Sequence, residues 1–126
     1  MVKVLAALQA SKQVIHPVLK VKLEAVKYIV FDAPLGRLHM QTGQYIDAMF
    51  HITVPLDVSL CRRLLRDFAD KPKENLLEEI SFYLEYSRPL FFDDNLKQTA
   101  DLVIDGMLAP QKQVEKCLAF LDKVVR

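Results

Sequence analysis

The sequence predicts an α/β domain built on a parallel sheet of at least three strands with flanking helices. Two observations carry this prediction. Three short runs of β-branched and aromatic residues each end at Pro or Gly, and the stretches between them repeat their apolar residues at helical spacing. Strands alternating with helices imply parallel βα units joined by right-handed crossovers. The 126 residues, 52% hydrophobic and 26% charged, are sized for one globular domain, expected over 1–126.

The elements follow in chain order. Residues 2–8 place Val4, Leu5 and Leu8 on one face of a short helix, and Ser11 and Pro17 mark its exit into a loop. Residues 27–33 (KYIVFDA) and 50–54 (FHITV) are continuous apolar runs stopped by Pro34 and Pro55, the pattern of strands buried on both faces. Residues 56–68 carry a stripe of Leu56, Leu60, Cys61, Leu64, Leu65 and Phe68, with Asp57 near the positive helix end. Phe82, Tyr83, Tyr86, Phe91 and Phe92 surround Arg88-Pro89 at spacings suited to helix packing. Residues 100–105 (ADLVID), stopped by Gly106, form the third strand, and Pro110 opens a helix striped by Val114, Cys117, Leu118, Leu121 and Val125.

Charge and composition exclude several classes. A net charge of +1 argues against a generally basic nucleic-acid binder, and the acidic surroundings of the aromatic group argue against base stacking. The apolar runs are too short to cross a bilayer, and the N-terminus lacks the cleavage pattern of a signal peptide, so a cytoplasmic protein without a membrane partner is expected. Cys61 and Cys117 have neither disulfide-framework nor zinc spacing and read as buried apolar groups in a reducing compartment. The serines lack a nucleophile-elbow pattern, and His16, His39 and His51 lack metal-ligand spacing. His51 reads as a core histidine, and His39 stands in the loop after Asp32.

Charge is local instead. Residues 57–73 hold five cations against three carboxylates, and residues 74–97 hold six carboxylates against two cations. Arg62, Arg63 and Arg66 stand three and four apart, on the side of their helix opposite the leucine stripe, and Lys71 and Lys73 follow in a loop. Several charge-assisted donors in one place suit a phosphate anion. The same spacing suits a solvated helix face tied by ion pairs, and both readings stand at this point. The three glycines, Gly36, Gly43 and Gly106, stand apart, so neither GxxxxGK[ST] nor GxGxxG occurs.

The stretches YIVFDAPLGRLH, IDAMFHITVPLDVSLCRRLLRDF, FYLEYSRPLFF and KQTADLVIDG, over roughly residues 27–121, resemble the C-terminal half of uridine kinase-like P-loop phosphotransferases, the group that includes phosphoribulokinase relatives. The resemblance implies an incomplete P-loop kinase-like fold whose RRxxRD helix leads into a lid, here about 57–75. It implies that Arg63, Arg66, Lys71 and Lys73 contact nucleotide phosphates. Where relatives carry an arginine pair around a glycine, this chain has Lys71-Pro72-Lys73. Asp32 stands where the family places an acidic residue near metal and phosphates. At a strand's C-terminal edge it suits Mg²⁺ through water as a catalytic carboxylate; it equally suits a cap for the turn containing Pro34 and Gly36.

The resemblance therefore implies phosphoryl transfer from ATP to a nucleoside or similar small hydroxyl compound, with Mg²⁺ and ATP as cofactors if the chain is active and none otherwise. It also implies a phosphate-loop half upstream. The 26 residues before the first predicted strand contain no glycine, so the expectation is a truncated or degenerate relative, inactive alone. The alternative expectation is a non-catalytic interaction or regulatory module that self-associates as a homo-oligomer through an exposed sheet edge.

Overall fold

The computed structural model describes residues 1–91 and 94–124 and divides the chain after Met49 into two compact units. Of the predicted packing residues, Phe92 and Val125 lie outside the described residues.

The first unit opens with helix α1, Val2–Gln9, in which Val4 and Leu8, one turn apart, are buried and Leu5 is half-buried. A helix this short depends on packing rather than on propensity. It ends through Ser11, whose φ of 55° lies in the left-handed region. The predicted loop that follows is a hairpin. Val14–Ile15 (β1) pairs antiparallel with Lys22–Leu23 (β2), with Val14 opposite Leu23. His16 holds its tip, since Nδ1 accepts from the N–H groups of Val18 (3.2 Å) and Leu19 (3.0 Å).

Residues 27–33 are not a strand, so the predicted sheet of three or more parallel strands is not formed by the described residues. The run has the side chains of a buried strand but no ladder partner, and Val30 is 98% exposed. β-Propensity reflects packing on a paired, part-buried surface and cannot hold a strand alone. Two 3₁₀ turns follow, Gly36–Leu38 and Gly43–Tyr45. A Cβ at Gly43 would collide with the carbonyl of Arg37, so this close approach requires glycine. The Arg37 side chain spans the same loop, donating from Nε to Ile46 O (3.2 Å) and from Nη2 to Asp47 O (2.7 Å).

The second unit centres on a parallel strand pair, Phe50–Thr53 (β3) and Leu102–Asp105 (β4), with Phe50 opposite Leu102 and Ile52 opposite Ile104. Ile104 is 1% exposed and is the centre of the core. The crossover between the strands contains α2 (Leu56–Asp67), α3 (Lys73–Phe82), a π turn (Tyr83–Ser87), a 3₁₀ turn (Arg88–Phe91) and α4 (Asp94–Thr99). The final helix, α5 (Pro110–Val124), packs on β4, and Phe120 meets Phe50 edge to face at 5.3 Å between ring centres.

Helix stripes are narrower than periodicity predicts. On α2 the line Leu56, Leu60, Leu64 with Phe68 is half-buried, whereas Leu65 is 75% exposed and Cys61 is exposed rather than buried. On α5 the half-buried line runs through Gln113, Cys117, Phe120 and Leu121, leaving Val114 and Leu118 exposed. The Phe120–Phe50 contact sets that rotation. In the aromatic group Tyr83 is buried, while Phe82 and Tyr86 form an exposed ring pair 5.2 Å apart.

Candidate functional site

Helix α2 starts after Pro55, which ends β3 and cannot continue a ladder, and Asp57 in its first turn complements the helix dipole. The three arginines near its C-terminal end do not converge on one point; each has its own partner. Arg62 donates from Nη1 to the carbonyl of Gly106 (3.0 Å), just beyond β4, tying α2 to the sheet. Arg63 Nη2 lies 2.7 Å from Glu79 Oε1 on α3. Arg66 grips its neighbour Asp67 with both arms of the fork, Nε to Oδ1 at 2.7 Å and Nη2 to Oδ2 at 2.8 Å. That pair holds the Asp67 carboxyl below the usual carboxylate range, first through the hydrogen bonds from Arg66 and then through the charges of Arg66 and Arg63. The Arg66 guanidinium is pushed further up by its hydrogen bonds to Asp67 and by that carboxylate's charge.

The chain turns between α2 and α3 through Phe68 to Pro72. Lys71 N–H donates to Phe68 O (3.1 Å), and Pro72 caps α3, its carbonyl accepting from Asn75 and Leu76. Proline before a helix start fixes the entry angle of the backbone. Lys71 and Lys73 are exposed, and among the described residues neither side chain has a hydrogen-bond or ion-pair partner. Lys73 is the first residue of α3, where its positive charge opposes the helix dipole and Glu74 offsets it. The segment from α2 into α3 therefore carries two ammonium groups without a partner among the described residues and two guanidinium groups already paired with carboxylates.

Asp32 belongs to the first unit and the four cations to the second. Asp32 is exposed and lies in an irregular segment, so the strand edge expected to carry it is absent. His39, in the loop after it, is occupied by Thr42, whose N–H donates to Nδ1 (3.2 Å) and whose Oγ1 lies 2.9 Å from the same atom. His51 is half-buried in β3, opposite Val103. Among the described residues no three His, Cys, Asp or Glu side chains group to hold a metal, and no helix is long and apolar enough to cross a membrane.

Two site residues escaped the pattern reading. Glu79 was visible only as one carboxylate of an acidic run; its spacing from Arg63 spans two helices and a turn, which no local period reports. Gly106 was visible as a strand stop, and its carbonyl's role toward Arg62 depends on the β3–β4 pairing.

Comparison with known proteins bears on this segment. The uridine kinase of Shewanella sp. (strain ANA-3) is 31% identical over 86 residues, covering 67% of this chain and 40% of that protein. The uridine kinase of Shewanella pealeana is 32% identical over 87 residues, covering 68% and 41%. Over about two-thirds of its length, the chain is similar to uridine kinases. It spans about two-fifths of the length of these curated relatives. No family model and no solved structure matches the chain.

Proposed function

We propose that the chain carries the lid-bearing part of a uridine kinase-like phosphotransferase that moves the γ-phosphoryl group of ATP to the hydroxyl of a nucleoside or similar small compound. The observation that carries this reading is the similarity to the two Shewanella uridine kinases across 86–87 residues. In the reaction the bond between the γ-phosphorus and its bridging oxygen breaks, a bond to the substrate oxygen forms, ADP leaves, and the hydroxyl proton is released. Charge builds on phosphate oxygens, so positioned cations supply most of what a protein contributes.

In this reading Lys71 and Lys73 reach phosphate directly, because nothing else occupies them. Arg66 reaches it with the donors left over by Asp67, and Arg63 with a guanidinium whose charge Glu79 already faces, each guanidinium having five N–H groups. Taken within the first unit alone, Asp32 is the carboxylate that would hold Mg²⁺. A lone exposed carboxylate fits that ion, which commonly takes one or two carboxylates and fills its remaining positions with water and phosphate oxygen. Held there, Mg²⁺ would supply positive charge that offsets the charge of nucleotide phosphate.

The 126 residues contain no glycine-rich phosphate loop, and lid cations supply charge without the backbone cradle that aligns the γ-phosphate. Assayed as this chain with ATP, Mg²⁺ and a panel of nucleosides, the protein is expected to show no turnover above background. Measured turnover that disappears in Asp32→Asn contradicts this and assigns the phosphate cradle to another segment, the loop 34–39 around Gly36 being the first to test.

A second reading, a non-catalytic self-associating module, is favoured by one specific observation. Val18, Leu19, Val21, Ile29 and Val30 are all exposed within one short stretch of the first unit, which leaves apolar side chains there for a partner to cover.

A further inference from the structure

Glu79 stands out because its carboxylate is placed where a surface acid is not expected. Its side chain is only 16% exposed, and its Oε1 atom is fully buried without hydrogen-bond geometry to any described group. The charged neighbour of that atom is Arg63 Nη2 at 2.7 Å, a contact short enough to be ionic but off the N–H line. The Arg63 side chain is 42% exposed. A buried carboxylate oxygen is stable only beside a compensating charge, so Glu79 has a strong electrostatic claim on Arg63. The pair also bridges α2 and α3 across the turn that carries Lys71 and leads into Lys73.

We propose that Glu79 sets the anion affinity of this helix–turn–helix by occupying Arg63 in the way a phosphate oxygen would. The inference rests on the reading above that Arg63, Arg66, Lys71 and Lys73 meet phosphate. A carboxylate oxygen in ionic contact with a guanidinium cancels its charge toward a second anion and fills the space beside Nη2 that a phosphate oxygen needs. An incoming phosphate therefore has to share or displace Glu79 before Arg63 contributes fully. Lys71 and Lys73 carry no such competitor and provide the first attraction. Affinity is held down while the anion is absent, and the turn between the helices is held closed by the same contact. Asp67 does not play this part: it is adjacent in sequence to Arg66 and its pairing holds no two elements together.

The test is pyrophosphate binding by calorimetry at fixed ionic strength for the parent, Glu79→Gln and Glu78→Gln, with circular dichroism to check folding. Glu78 is an exposed carboxylate on the same helix, one position away, so its variant removes equal charge without touching Arg63. The expected result is pyrophosphate binding about three- to tenfold tighter in Glu79→Gln and less than twofold changed in Glu78→Gln. If Glu79→Gln is unfolded, Glu79→Asp serves in its place: the shorter carboxylate withdraws from Nη2 and the same tightening is expected. Unchanged or weaker binding in a folded Glu79 variant, or equal tightening in both glutamine variants, overturns the proposal while leaving the phosphate reading standing. Absence of pyrophosphate binding in the parent and all variants overturns both.

Discussion

Gly106 shows how much one residue can carry. It follows β4, its N–H donates to Thr53 O (2.9 Å), and its carbonyl accepts from Arg62. A Cβ there would collide with Val54 Cγ2, approach Ile52 Cγ2 at 2.8 Å and lie 3.1 Å from Thr53 O. Gly106→Ala is expected to cost about 2 kcal/mol by overpacking, read as a lower urea midpoint. The Arg66–Asp67 pair makes a different prediction. The folded state holds Asp67 below its ordinary carboxylate value, so between the folded and unfolded values the unfolded chain binds more protons and stability rises with pH. The contribution is fully present above the ordinary carboxylate pKa of about 4 and is lost as pH falls through the lower folded value. Asp67→Asn should flatten that part of the profile, seen by comparing denaturation midpoints between about pH 3 and about pH 6. Both side chains are well exposed, so the change is small.

Elements differ in how far their sequence determined them. α1, α2, β3, β4 and α5 were legible because each has a stop signal and a period: Pro55 between β3 and α2, Gly106 after β4, Pro110 opening α5. α3 was legible only at its aromatic end, although Lys73–Phe82 is rich in helix formers, because Leu76, Leu77 and Ile80 make too short a stripe. Residues 27–33 failed for the opposite reason: a strong local signal needs a partner strand that local pattern cannot supply. At the candidate site the cations were legible by type and spacing. Their pairings were not, because Arg62 and Arg63 find partners 44 residues downstream and on the next helix, respectively. The two ties join α2 to the end of β4 and to α3, and Arg62→Ala is expected to cost about 1 kcal/mol by leaving the Gly106 carbonyl without its donor, measured as a lower urea midpoint.

For the whole molecule, the exposed apolar side chains of Val18, Leu19, Val21, Ile29 and Val30 and the short parallel pair both invite association with another chain. Light scattering at micromolar concentration is expected to give the mass of a dimer or larger oligomer, and a monomer mass of 14.5 kDa removes the self-association reading. The central claim, that the cations around the α2–α3 turn bind nucleotide phosphate, is tested most directly by calorimetric titration of ATP into the parent and into Arg63→Ala/Arg66→Ala, with folding checked by circular dichroism. The account predicts binding in the parent that weakens more than about tenfold in the double variant, since each charge-assisted hydrogen bond lost is worth about 1.5–3 kcal/mol. Equal affinity in a folded double variant, or no ATP binding by the parent, contradicts it and reduces the cluster to a solvated helix face.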